Sequence, residues 1–136
     1  MPRKPKALVL DSWSVIAYFE DEPAGQQVAD LIANSEENET SLLMSVVNVG
    51  EVWYILAREV SEQEADQSVA ELRNLGIEFV DAAWELTQEA ARIKSKHKMS
   101  YADCFAVALA NGNKASLVTG DHEFKQVEQE VRIHWL

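Results

Sequence analysis

The chain has 136 residues, 47% of them apolar, with 23 acidic against 12 basic side chains and a formal net charge of −11. That length supports one domain, residues 1–136, with a real core. It holds no run of about 18 apolar residues, which excludes a membrane-spanning helix. Its acidity argues against a general nucleic-acid binder, whose footprint is basic.

Ala7–Leu10 is a short apolar run closed by Asp11, the pattern of a buried parallel strand. The run is too short for a signal-peptide core behind Arg3, Lys4 and Lys6. Ser12 to Phe19 reads as a helix with Val15, Ile16, Tyr18 and Phe19 on its apolar side. Pro23 opens a second helix to about Asn34, and a polar loop is expected from Ser35 to Ser41. Leu42–Ser45 reads as a second strand, and Ser45 caps a helix from Val46 to about Glu59. Glu51 falls inside that helix's apolar stripe, between Val47 and Ile55.

Ser61 opens a capping box, and its helix ends at Gly76. Ile77–Asp81 alternates, which places a third strand near a sheet edge. A helix from Ala83 to about His97 follows, with Lys94 and Lys96 in its last turn and Lys98 just beyond. The Ser100–Gly112 segment, Ser-Tyr-Ala-Asp-Cys-Phe-Ala-Val-Ala-Leu-Ala-Asn-Gly, has almost no polar face, so it reads as a buried helix. Ser116–Thr119 is a fourth strand, and Val131–Trp135 a fifth. The alternation predicts a three-layer α/β/α domain with a mostly parallel central sheet of four to five strands. The single cysteine, Cys104, falls in the buried helix and suits a reducing compartment, so a cytoplasmic setting is expected.

Four acids stand out against this frame. Asp103 sits in the first turns of the apolar helix, where a carboxylate costs several kcal/mol unless it is compensated. Asp11 ends the first strand and Asp121 follows the fourth. In open parallel sheets ligands bind beyond the carboxyl ends of the strands, so Asp11, Glu51, Asp103 and Asp121 are expected to converge on one rim. Each also has a local explanation: helix capping for Asp11 and Asp103, a Gly-Asp turn for Asp121, a surface position for Glu51. Clustered carboxylates resist ionisation, and a hard cation such as Mg²⁺ or Mn²⁺ relieves them. No Cys/His pairing suits zinc. No phosphate loop or nucleophile elbow is present. Metal-assisted hydrolysis remains, with a phosphodiester as the best-suited bond.

Four blocks carry a resemblance. Leu8-Val-Leu-Asp11-Ser12, Asn48-Val-Gly-Glu51-Val-Trp-Tyr, Ser100-Tyr-Ala-Asp103-Cys-Phe-Ala-Val-Ala and Leu117-Val-Thr-Gly-Asp121-His-Glu-Phe resemble the signature blocks of PIN-domain ribonucleases, above all the VapC-type toxins of toxin–antitoxin pairs. The resemblance implies a PIN-like fold and Mg²⁺- or Mn²⁺-dependent cleavage of single-stranded or looped RNA. It also implies a homodimer and a small antitoxin partner. It makes Asp11, Glu51, Asp103 and Asp121 the catalytic and metal-holding acids. Ser12 and Thr119 become candidates to orient water or a phosphate oxygen. Lys94, Lys96, His97 and Lys98 are placed to flank the cleft, with Lys96 and Lys98 as candidate substrate contacts. Trp13 departs from the common pattern, in which a small hydroxyl residue stands there. Two rivals stay open: a non-catalytic PIN-like binding module, and an α/β phosphohydrolase acting on small phosphate esters.

Overall fold

The computed structural model describes residues 6–136. Arg3 and Lys4 lie outside them. Twelve elements follow one another: β1 (Ala7–Leu10), α1 (Ser12–Phe19), α2 (Pro23–Glu37), β2 (Ser41–Ser45), α3 (Val46–Glu59), α4 (Glu62–Asn74), β3 (Ile77–Val80), α5 (Trp84–Lys96), α6 (Tyr101–Gly112), β4 (Ser116–Thr119), a 3-10 helix (His122–Val127) and β5 (Ile133–Trp135). The five strands form one sheet in the order β3-β2-β1-β4-β5, and every pairing is parallel.

The side chains of each strand alternate between the two faces, and this builds the layers. Val9 of β1 lies beside Leu43 and Leu117, and all three join the α5 and α6 residues in one core. Leu10, Leu42, Met44 and Val118 point to the opposite core, shared with α1, α3 and α4. No helix among the described residues is long and apolar enough to cross a membrane.

α6 is the most enclosed helix: every residue from Cys104 to Ala110 is buried. Its apolar surface all round leaves no other place for it. β3 is an edge strand, as its alternation implies. α2 runs on to Glu37, past the expected end at Asn34. Ser35 is buried and its hydroxyl donates to the Ile32 carbonyl at 2.6 Å, so the polar run stays wound and the loop shrinks. Gly76 follows α4 with φ +91°, a left-handed conformation that glycine adopts without cost.

The order in which strands are added to the sheet reverses between β1 and β4. β1 leads to β2 on one side, while β4 returns on the other. The crevice above such a reversal is where parallel sheets hold ligands.

Candidate functional site

Asp11 is 1% exposed at the end of β1. Its Oδ1 accepts the Ser14 N–H at 2.9 Å, capping α1. Its Oδ2 accepts the Thr119 hydroxyl at 2.5 Å. Thr119 in turn accepts the Asp121 N–H at 3.0 Å. One hydroxyl therefore ties the ends of the two central strands and sets the backbone of the next acid. Asp121 Oδ1 caps the 3-10 helix by accepting the Glu123 N–H at 2.9 Å. The Asp103 N–H donates to Ser100 Oγ at 3.1 Å. Local capping and convergence thus coexist: the cap takes Oδ1 of Asp11 and of Asp121, and Asp103 enters its cap through the backbone N–H.

The acids face a cleft of about 360 Å³. Glu20, Glu22, Glu51, Asp103, Asp121 and Glu123 line it beside Ser12 and Trp13. Among the described residues, none that lines it is cationic. Carboxylate oxygens of Asp103, Asp121 and Glu123 lie within 4.8 Å of one another. Asp11 is not on the cleft wall; it lies buried beneath it.

Burial pushes the Asp103 carboxyl up to about 7, and the charges of Asp11, Asp121 and Glu51 push the same way against the side chain of Ser100. Burial likewise raises Asp11 to about 6, against the hydrogen bonds from Thr119 and Ser14. The mutual repulsion is the electrostatic signature of acids brought together from four separate segments. The donors here are carboxylate oxygens with no nitrogen or sulfur among them, the set that suits a hard divalent cation. Such an ion would sit among Asp103, Asp121 and Glu123 and relieve the stored repulsion.

The remaining candidates sort by position. Ser12 is buried, and its hydroxyl donates to the Asn48 carbonyl at 3.3 Å. Thr119 is fully buried, and its hydroxyl is committed to Asp11 and the Asp121 backbone. Lys96 and Lys98 are exposed and do not line the cleft. Lys94 Nζ donates to the Met99 carbonyl at 2.5 Å, and His97 pairs with Glu130 at 3.1 Å.

Two residues escape a reading by spacing. Glu123 stands two positions after Asp121, and that pair of acids was its only signal. Asn48 is wholly buried; its amide donates to the Ala102 carbonyl at 3.1 Å and to Ser12 Oγ at 3.4 Å. It stitches α1, which Asp11 caps, to α3 and α6, which carry Glu51 and Asp103. Its Oδ1 is buried without a partner, which costs about 1–3 kcal/mol.

A family model described as PIN domain matches residues 8–130. No curated protein sequence matches the chain. Among solved structures, Mycobacterium tuberculosis VapC20, a sarcin-ricin-loop-cleaving toxin, is similar at TM-score 0.72 and 17% identity, covering 88% of this chain and 94% of that one. VapBC from Salmonella typhimurium, bound to DNA, is similar at TM-score 0.74 and 14% identity over 96% and 98% of the two chains. VapBC2 from Rickettsia felis, bound to a fragment of its promoter, gives 0.71 and 15% over 94% and 97%. At these identities the likeness is one of fold.

Proposed function

The chain belongs to the PIN domain family, and from that premise we propose that it is a Mg²⁺- or Mn²⁺-dependent endoribonuclease, the toxin of a toxin–antitoxin pair. The observation that carries the reading is the meeting of Asp103, Asp121 and Glu123 within 4.8 Å, above buried Asp11. The reading takes residues 1–136 as one PIN-like unit in a cytoplasmic setting.

Asp103, Asp121 and Glu123 would hold the ion, with Glu51 closing the same cleft. A bound divalent cation supplies Lewis acidity at a phosphoryl oxygen and offsets charge that builds in the transition state. Asp11 and Thr119 act from below, fixing the backbone from which Asp121 projects. Ser12 lines the cleft and orients a phosphate oxygen or water. Lys96 and Lys98 take RNA phosphates outside the acidic mouth, where cations are free to do so.

Partners follow from the same charge pattern. A cleft lined by carboxylates and no cation suits a basic side chain delivered by a small antitoxin. The VapBC neighbours belong to a family of toxin–antitoxin systems, which supports a partner of this kind. A homodimer completes the reading.

The anionic cleft also favours a second reading, a module that binds cations or basic partners without turnover. Wild type and Asp103→Asn, assayed on looped RNA with Mg²⁺, Mn²⁺ or EDTA, separate the two. The nuclease reading expects ion-dependent cleavage by the wild type and a rate lower by about a hundredfold or more in the variant. Ion binding with no cleavage favours the module. Equal cleavage by both proteins removes the support for this site.

A further inference from the structure

We infer that Trp13 is a base-stacking platform, receiving the unpaired nucleobase beside the scissile phosphate; this deepens the RNA-cleaving reading and rests on it. Trp13 lies in the first turn of α1, two residues after Asp11, and is half-buried. Its side chain lines the same cleft as Glu51, Asp103 and Asp121. The other three tryptophans are placed differently. Trp53 Nε1 donates to Asp66 at 2.9 Å and Trp135 Nε1 to Glu128 at 2.9 Å. Trp84 is exposed but does not line this cleft.

The tip of the Trp13 indole is seated on Gly120. A Cβ at Gly120 would lie 2.4 Å from Cη2, 2.5 Å from Cζ3 and 3.0 Å from Cζ2 of the ring. Any side chain there would drive the indole off its seat. Gly120 is also the residue before Asp121, so the ring reaches from the first turn of α1 to the turn that carries Asp121. Ile16 and Ala17 of α1 continue the apolar wall beside it.

The chemistry of the cleft selects the ligand. A wall of carboxylates repels phosphates but leaves the uncharged face of a base unopposed. Stacking on an aromatic ring is tolerant of sequence and typically strengthens binding by about tenfold per base. A fixed indole loses little freedom when a base lands on it, which favours this role over a mobile surface aromatic. Recognition here therefore runs through a base, while the phosphate would be drawn to the cation that the acids hold.

Short single-stranded RNA oligonucleotides carrying one abasic nucleotide at successive positions test this, assayed with Mn²⁺. In the wild type, the abasic nucleotide next to the cleaved bond is expected to raise KM about tenfold, with a smaller effect on kcat. Trp13→Ala is expected to bind the intact oligonucleotide about tenfold more weakly and to lose the abasic penalty. Trp13→Phe, which keeps an aromatic face, should retain part of it. A wild type indifferent to the abasic nucleotide at every position overturns the platform while leaving the nuclease intact. So does a Trp13→Ala protein that keeps the full penalty. A wild type that cleaves no oligonucleotide defeats the nuclease reading, and the platform with it.

Discussion

Thr119 donates its hydroxyl to Asp11 across 2.5 Å, wholly out of solvent. The bond makes a buried carboxylate tolerable and passes its position on to Asp121. Thr119→Val keeps the shape and removes the donor. The expected loss is about 2 kcal/mol at pH 7.5, the range for a hydrogen bond to a charged group. Urea unfolding checks it, and Thr119→Ser should recover most of the loss.

The raised carboxyls make the ion-free protein sensitive to pH. Asp11 moves from 3.8 in an exposed chain to about 6 in the fold, so between those values the folded state holds more protons than the unfolded one. Stability therefore falls as pH rises through that window, by about 3 kcal/mol for Asp11 once fully ionised. Asp103, raised to about 7, extends the fall to neutral pH. Thermal unfolding in EDTA should give a lower Tm at pH 7.5 than at pH 5, and Mn²⁺ should restore more of it at pH 7.5.

Glu123→Gln removes one carboxylate from the Asp103–Asp121–Glu123 group without changing its size. Mn²⁺ affinity, read by titration calorimetry, is expected to fall about tenfold or more, comparable with the loss of a supporting residue at a metal site. An unchanged affinity would place the ion elsewhere in the cleft.

Replacing Lys96 and Lys98 together by Ala should weaken RNA binding most at low salt. Each phosphate contact contributes roughly 0.7 to the slope of log K against log salt on single strands. The double variant should flatten that slope by roughly 1.4. An unchanged slope would remove both lysines from the path of the RNA.

Much of this architecture was legible in the residues themselves. Ser45, Ser61 and Ser100 mark the starts of α3, α4 and α6, and each side chain does accept the capping N–H. Asp11, Glu51, Asp103 and Asp121 could be assigned to one rim because strands and helices alternate with clean periods. What escaped has a physical reason in each case. The 3-10 helix His122–Val127 has six residues, too few for its two buried ones, Phe124 and Val127, to establish a helical period. Glu123 joins the site because Asp121 stands outside the helix as its cap, with extended backbone, and its Oδ1 accepts the Glu123 N–H. Asn48 looks like an ordinary first-turn residue. Only the approach of α1 and α6 gives its amide something to hold.

α6 is enclosed on every side from Cys104 to Ala110, and Asp103 is rooted in its first turn. The backbone that carries this carboxylate cannot shift while the interior stays packed. Heating should consequently leave the acid arrangement whole up to the cooperative melt. Ion uptake and circular dichroism would then fade at one temperature, with no dormant but folded form in between.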